Sequence, residues 1–113
     1  KIEVSVDPFH FENVMNNLMD NAIKYGGNLI SVLVKSRNGK VILSVQDNGS
    51  GISHENQKLV FDKFYRVQKG NIHDVKGFGI GLYYCKKIIE KHQGELILSS
   101  SPKETVFTII LNE

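Results

Sequence analysis

The dipeptide Asn38-Gly39 constrains the fold of this chain more than any other feature. It separates two runs rich in β-branched and apolar residues, 29–36 and 40–47. Asn-Gly favours a two-residue hairpin turn, because both residues tolerate the positive φ angles that such a turn requires. The sequence therefore predicts an antiparallel pair of strands in the first half of the chain.

A long amphipathic helix is predicted before this hairpin, over residues 8–24, where apolar side chains recur every three or four positions. Asp7-Pro8 supplies an N-cap and a first-turn proline, and Gly26-Gly27 ends the helix.

The second half of the chain is predicted to contain a long connection, a second helix and a second hairpin. Residues 48–76 form the connection, with a short helix near 53–60. Loops of that length are uncommon in compact domains unless they serve a function, such as closing over a ligand. The later elements are a helix over 79–92 that ends at Gly94, and strands over 95–100 and 105–111 that turn at Pro102-Lys103. With a first strand at 1–6, this order predicts one α/β domain over residues 1–113, with one helical layer on a largely antiparallel sheet.

The composition argues against several functional classes. The net charge of +2 is too small and too dispersed to predict binding to nucleic acid or to an anionic membrane. No apolar stretch approaches the roughly 20 residues that span a bilayer, so we expect a soluble segment. The single cysteine, Cys85, lies among apolar residues at helical spacing, which predicts a buried thiol and not a catalytic one. The histidines show no metal-ligand spacing.

Three alternate glycines, Gly77, Gly79 and Gly81, open the second long helix. Glycine leaves backbone N–H groups accessible, and a helix N-terminus offers unpaired donors and the positive end of the helix dipole. The run therefore predicts a phosphate-binding site. It lacks the further glycine of the dinucleotide fingerprint and the lysine of a P-loop, so on its own it is a weak indication.

Asp47 lies in phase with Leu43 and Val45 on the face of its strand that is predicted to be buried. A buried carboxylate is costly unless it accepts good hydrogen bonds. The exocyclic amine of adenine is a suitable donor, whereas guanine presents a carbonyl in its place. The alternative is that Asp47-Asn48-Gly49 is only a turn at the end of a strand, which such residues often build.

Asn21 and Lys24 share one face of the first helix, where an amide oxygen and an ammonium group could meet the same polyphosphate. Magnesium prefers oxygen ligands and often takes only one or two from the protein, which suits Asn21. The alternative is a solvated helix face beside an apolar stripe. Tyr25, where the helix ends, either stacks on a base or is an ordinary boundary tyrosine.

In the long connection, Phe61 and Phe64 are predicted to anchor the chain to the core by burial. Lys63 and Arg66 then become the nearest cations that could reach a phosphate tail. The alternative is that both cations are simply exposed to solvent.

Together these motifs resemble those of the ATP-binding catalytic domain of bacterial sensor histidine kinases, a branch of the GHKL (Bergerat-fold) superfamily. Residues 17–25 resemble the N box, 47–52 the first glycine box, 61–66 the F box and 77–82 the second glycine box. Four motifs in this order, covering almost the whole chain, are highly specific. The resemblance implies a two-layer α/β sandwich of about three helices on a mixed, largely antiparallel five-stranded sheet, with an unusual left-handed crossover.

The resemblance also implies roles for individual residues. Asn21 would coordinate magnesium, Lys24 would meet the phosphates of ATP, Asp47 would accept a hydrogen bond from the adenine amino group, and Tyr25 would flank the ring. Gly49 and Gly51 would make room for the base, whereas Gly77, Gly79 and Gly81 would free a lid and approach the phosphates. The same boxes add further residues expected to bind the nucleotide: Ile52, Phe61, Lys63, Arg66 and Leu82. Motion of residues 62–78 is expected to gate the reaction.

One departure from the family pattern bears on the reaction. Hydrolytic relatives such as gyrase and the heat-shock chaperone ATPases carry a glutamate one helical turn before the metal-binding asparagine, and this chain has Asn17 there. An amide cannot take a proton from water as a carboxylate can, so transfer to another protein group is favoured over hydrolysis. We expect Asn17, Asn21 and Lys24 to form the catalytic set. Two further departures, at Glu104 and Asn112, are expected to touch only an edge strand.

The expected function is to bind Mg-ATP and to donate its γ-phosphoryl group to a histidine on a separate dimerisation and phosphoacceptor module. That module would lie N-terminally in a longer, homodimeric sensor kinase that signals to a response regulator. His54-Glu55 begins like a phosphoacceptor motif but continues differently, so no residue here is expected to accept phosphate. We expect a cytoplasmic domain of a parent anchored in the inner membrane, with no nucleic-acid partner and no membrane contact by this segment. The alternatives are a non-catalytic ATP-sensing module, or a serine kinase or anti-sigma factor of the same superfamily.

Overall fold

The computed structural model describes residues 4–25, 29–49, 51–57, 59–62 and 81–112, and the side chains of all of these except Lys24, Tyr25 and His54. The elements in chain order are α1 (Pro8–Tyr25), β1 (Ile30–Arg37), β2 (Lys40–Asp47), α2 (His54–Gln57), α3 (Gly81–Lys91), β3 (Glu95–Ser101) and β4 (Glu104–Asn112). From the first long helix onward, this order agrees with the predicted one.

The strands of the described residues form one antiparallel sheet in the order β1-β2-β4-β3. Asn38 and Gly39 have φ angles of 54° and 77°, which suit the twist of the two strands they join, so the predicted hairpin is confirmed. The expectation that Glu104 and Asn112 belong to an edge strand was wrong, because β4 lies between β2 and β3. Buried residues alternate with half-buried ones along β4, and such alternation in a sequence gives no indication of whether a strand is central or at the edge.

α1 and α3 pack against each other on one face of the sheet, with α1 over β2 and α3 over β3. The side chains between the layers form one core: Val14, Leu18, Ala22, Val45, Cys85, Ile88, Ile89, Leu96, Phe107, Ile109 and Leu111. Each large aliphatic side chain buried there contributes about 1.5–3 kcal/mol of transfer free energy. The face of the sheet that the helices cover is called the inner face. Val32 and Val34 are on this face, opposite Val45 and Leu43, but they are exposed because β1 lies beyond the helices. The predicted two-layer α/β architecture is confirmed.

The first predicted strand differs from the structure. Residues 4–6 are not in a strand, and residues 1–3 lie outside the described part of the chain. Val4 and Val6 pack against the core instead. The alternation that predicted a strand is therefore explained by burial of every second side chain, without pairing in the described sheet. The fifth strand, the mixed character of the sheet and the left-handed crossover stay predictions.

The start of α1 is fixed to the end of α3. Asp7 Oδ1 accepts hydrogen bonds from the N–H groups of Phe9 and His10, which confirms the predicted N-cap. The Asp7 N–H donates to His92 Nε2 at 3.0 Å, and His92 Nδ1 lies 2.8 Å from the Ile88 carbonyl oxygen. Only the neutral ring with its proton on Nδ1 satisfies both contacts.

The end of α3 differs in detail from the prediction that Gly94 is its stop. Gln93 takes the left-handed position, with φ 60°, and its N–H donates to the Glu90 carbonyl oxygen. The Gly94 N–H donates to the Ile89 carbonyl oxygen, which completes a Schellman motif. Glycine at position 94 is required for a different reason: a Cβ there would lie 2.6 Å from the Ile110 carbonyl oxygen.

The connection after β2 is described only in part. α2 is shorter than the helix predicted over 53–60, and the chain turns after it through Leu59 and Val60. Val60, within this turn, is buried. Among the helices within the described ranges, none is long and apolar enough to cross a membrane.

Candidate functional site

Asp47 ends β2 with its side chain on the inner face of the sheet, where it is 6% exposed. Its Oδ1 accepts a hydrogen bond from the Gly49 N–H at 2.9 Å. The turn given above as the alternative is therefore present, and the carboxylate is buried as well. Of the basic side chains that the structure describes, none forms an ion pair with Asp47. A carboxylate has about four lone-pair sites, so the contact with Gly49 leaves it able to accept a further hydrogen bond.

Asp47 belongs to a row at one end of the inner face in which three of the four residues are polar. Ile30, Asp47, Thr105 and Ser100 lie opposite one another across the four strands. Thr105 is 5% exposed, and its Oγ1 lies 3.4 Å from Ser100 Oγ. The next inner row is apolar and consists of Val32, Val45, Phe107 and Leu98. Polar groups are thus concentrated at the end of the helix-covered face where the glycine-containing loop begins.

The loop that follows β2 is held against this row. The Ile52 N–H donates to Ser100 Oγ at 2.7 Å, and Gln57 Nε2 donates to the Ile52 carbonyl oxygen at 2.8 Å. Gly51 has φ 82°, and a Cβ there would overlap the Ser101 carbonyl oxygen. Gly51 therefore has a structural requirement of its own, and its role beside a base stays a prediction.

The amide face of α1 meets the start of α3. Asn17 Nδ2 donates to the Asn13 carbonyl oxygen at 2.9 Å, and a Cβ on Gly81 would lie 3.0 Å from Asn17 Oδ1. The absence of a side chain at Gly81 allows the two helices to approach each other at this amide. Asn17 and Asn21 are both half-buried. The predicted N box and the last glycine of the predicted second glycine box are therefore neighbours.

Three apolar residues of the predicted set pack against the core: Ile52, Phe61 and Leu82. Phe61 lies edge-on to Phe107, with ring centroids 6.1 Å apart, and Lys86 Nζ lies 5.0 Å from the Phe61 ring centre. The prediction that Phe61 anchors the connection to the core is confirmed. Contact of these three side chains with a nucleotide stays a prediction.

Part of the predicted site lies outside the described residues, namely Lys63, Phe64, Arg66, Gly77 and Gly79. Lys24 and Tyr25 lie in the last turn of α1, and their side chains are not described. The roles expected of all seven positions stay predictions.

Cys85 is fully buried between the layers, and its Sγ lies 3.6 Å from the Val14 carbonyl oxygen. Burial raises the pKa of this thiol from 9.0 to about 12. The thiolate is the nucleophilic form of cysteine, so the expectation of a non-catalytic thiol is supported.

Sequence reasoning missed two polar residues of the inner row, Ser100 and Thr105. Thr105 is in phase with the buried Phe107 and Ile109, and this placement of a polar residue on an apolar face could have drawn attention to it. Ser100 lies within a run of three serines, residues 99–101, in which composition gives no indication of the inner one.

Residues 6–113 match the family model described as Histidine kinase-, DNA gyrase B-, and HSP90-like ATPase. The chain belongs to this family. Sensor protein RprX of Bacteroides fragilis is 53% identical over 97 residues, which cover 82% of this chain and 19% of that relative. Sensor protein SrrB of Staphylococcus aureus is 37% identical over 110 residues, which cover 95% of this chain and 19% of that relative. The chain thus spans about a fifth of the length of these curated relatives.

Solved structures of histidine kinases share the fold of this family member. A mycobacterial sensor histidine kinase, MprB, superimposes with a TM-score of 0.84 at 26% identity, over 96% of this chain and 76% of that one. The catalytic domain of the histidine kinase ThkA superimposes with a TM-score of 0.80 at 28% identity, over 96% of this chain and 71% of that one. The resemblance inferred from four motifs is confirmed for family and fold.

Proposed function

We propose that this chain binds Mg-ATP and donates the γ-phosphoryl group to a histidine on a separate dimerisation and phosphoacceptor module of a longer sensor protein. Membership of the ATPase family and the similarity to sensor proteins and histidine kinases support this function. The observation that carries it within the molecule is the buried carboxylate of Asp47, which ends an inner strand beside a glycine-containing loop.

Asp47 recognises the base in this proposal. A carboxylate that is 6% exposed and lacks a cationic partner among the described residues is stabilised when it accepts hydrogen bonds. The 6-amino group of adenine donates such a bond, whereas the 6-carbonyl of guanine would be repelled. The site should therefore select adenine over guanine.

We assign the phosphate end of the nucleotide to α1 and to the glycine run, residues 77–81. The donor set fits a magnesium–polyphosphate group, because the amide oxygen of Asn21 is a hard ligand and Gly81, the last glycine of the run 77–81, lies beside Asn17, which is on the same helix as Asn21. Lys24 and the run from Gly77 would hold the phosphates. Bound magnesium would supply neutralisation of phosphate charge and alignment of the transferred group.

Asn17 favours transfer over hydrolysis. Its Nδ2 donates to the carbonyl of Asn13, and an amide has no basic site with which to deprotonate water. Phosphoryl transfer asks for positioning and charge neutralisation more than for covalent chemistry by the protein. Both are contributions that the α1 amides and the glycine run would supply.

The partners of this reaction are part of the proposal. They are an N-terminal module that carries the phosphoacceptor histidine, a response regulator, and a second copy of the parent protein. The parent is proposed to be anchored in the inner membrane, with this domain in the cytoplasm. These proposals are supported by relatives named as sensor proteins that are much longer than this chain.

Calorimetry on the domain tests the nucleotide assignment. ATP and GTP are titrated in the presence of magnesium into the wild type and into Asp47→Asn. The wild type should bind ATP more tightly than GTP by at least about tenfold, the equivalent of about 1.4 kcal/mol. Asp47→Asn should bind ATP more weakly and lose much of this preference, and an unchanged ratio would contradict the assignment of Asp47.

Labelling of the longer parent protein tests the transfer. Incubation with γ-labelled ATP should give an acid-labile label on the N-terminal module, as expected for phosphohistidine. Asn21→Ala should abolish most labelling, whereas Asn16→Ala, at an exposed position of the same helix, should label normally. An acid-stable label would favour a serine kinase, and nucleotide binding without any label would favour a sensing module.

A further inference from the structure

We propose that Ser100 is a positioning residue for the base end of the nucleotide site. Its hydroxyl would hold the loop after β2 in the geometry that lets Asp47 recognise adenine. The inference rests on the proposed function, because the site concerned is the proposed adenine pocket. Ser100 acts through Ile52 and the loop, and not by contact with the nucleotide.

The Ser100 hydroxyl joins the loop to the β3–β4 hairpin. Its Oγ accepts the Ile52 N–H at 2.7 Å and donates to the Glu104 carbonyl oxygen at 3.2 Å. A hydroxyl has one O–H donor and two acceptor lone pairs, so it makes both bonds at once. The Ser100 Oγ also lies 3.4 Å from the Thr105 hydroxyl, and Thr105 is the residue opposite Asp47 in the sheet.

In the loop after β2, Gly49 and Ile52 are each held by a side chain of the sheet. Asp47 Oδ1 accepts the Gly49 N–H, and Ser100 accepts the Ile52 N–H. Gly51, between them, lies so close to the hairpin that a Cβ would overlap the backbone. Because Gly49 and Ile52 are so close in the chain, a shift of Ile52 would move Gly49 and with it the hydrogen bond that orients the Asp47 carboxylate.

This role differs measurably from simple support of the hairpin. If Ser100 only joined β3 to β4, its loss would lower the free energy of unfolding and leave the selectivity for the base unchanged. If it positions Asp47 through the loop, its loss reduces the part of the binding free energy that depends on the adenine amino group.

The experiment compares two ligands that differ only in that group. ATP and purine riboside triphosphate, which lacks the 6-amino group, are titrated by calorimetry with magnesium into the wild type, Ser100→Ala and Ser100→Thr. Ser99→Ala is the matched control, because Ser99 is exposed on the opposite face of β3. Ser100→Ala should weaken ATP binding by about five- to tenfold and reduce the ATP-to-analogue ratio, because the Ile52 N–H loses the partly buried acceptor that holds the loop. Ser100→Thr and Ser99→Ala should keep the wild-type ratio.

Gln57→Ala is the second variant, because it removes the other side-chain hydrogen bond to Ile52 without altering the hairpin. It should reduce the same ratio by a smaller factor, and it keeps the test decisive if Ser100→Ala does not fold. A wild type that prefers ATP, with an unchanged ratio in both variants, would overturn the positioning role and leave the proposed function intact. A wild type that binds neither ligand would instead overturn the proposed function.

Discussion

At the scale of single residues, Gly51 and Gly39 illustrate two different reasons why a position requires glycine. Both have positive φ, at 82° and 77°. A Cβ on Gly51 would overlap the Ser101 carbonyl oxygen, whereas a Cβ on Gly39 would meet nothing within 4 Å. Gly39 is therefore required only by its backbone conformation, and Gly51 also by the close approach of the loop to the hairpin.

We expect Gly51→Ala to lower the free energy of unfolding by about 3 kcal/mol or more, because left-handed strain adds to a backbone clash. Gly39→Ala should cost only about 1–2 kcal/mol, from the strain alone. Urea unfolding of the two variants measures the difference. Equal losses would show that the close approach of the hairpin backbone adds nothing to the cost of a side chain at position 51.

Because of Cys85, we expect the free energy of unfolding to fall as the pH rises into the alkaline range. Burial raises the pKa of its thiol in the folded state from 9.0 to about 12, so folding favours the neutral form. That contribution is complete below the unfolded-state pKa and is lost as the pH rises toward the folded-state value. Between pH 9 and pH 11, the wild type should lose about 2 kcal/mol more than Cys85→Ala, which has no thiol. Parallel pH profiles in denaturant titrations would contradict this expectation.

The residues of the site were predictable where a side chain breaks a pattern. Asp47 is a carboxylate in an apolar phase of β2, and its burial follows from period-two alternation. Ser100 breaks no pattern, because its neighbours in the chain are also serines. Its importance depends on which strand lies beside the loop after β2, and that is a property of the assembled sheet.

At the scale of elements, the C-terminus of α3 contains two adjacent residues with opposite requirements. Gln93 has a positive φ that glycine would adopt without strain, and Gly94 lies against the backbone of β4. We expect Gln93→Gly to raise the free energy of unfolding by about 0.5 kcal/mol, because relief of strain exceeds the entropy gained by the unfolded chain. Gly94→Ala should lower it by about 2 kcal/mol through overpacking. Thermal unfolding measures both, and a destabilised Gln93→Gly would contradict the assignment of the left-handed position.

Elements with a strong local pattern were predicted to within a few residues. The boundaries of β2 agree with the prediction, and Asp7 caps α1 as expected. The segment over 4–6 and the position of β4 were not predictable in the same way. Alternation shows that every second side chain is buried, but it does not show whether a strand or a helix covers it, or which strands lie on either side.

At the scale of the whole molecule, the fold brings together motifs that are far apart in the chain. Packing of α1 against α3 places Asn17 beside Gly81, and insertion of β4 between β2 and β3 places Thr105 opposite Asp47. Each pair joins segments of distant sequence, so a ligand that contacts both pairs would connect the helical layer to the sheet. Such a ligand should stabilise the domain as one unit.

Binding of Mg-ATP to the folded state alone should therefore raise the melting temperature. At a free concentration about 100 times the dissociation constant, the free energy of unfolding rises by about 2.7 kcal/mol, which corresponds to roughly 10 °C for a domain of this size. Removal of magnesium with a chelator should abolish most of the shift in the wild type. Asn21→Ala should show only the small shift that remains without the metal, because its amide oxygen is the proposed ligand. A large magnesium-dependent shift in that variant would place the metal elsewhere, and a shift of equal size with GTP would contradict recognition of adenine by Asp47.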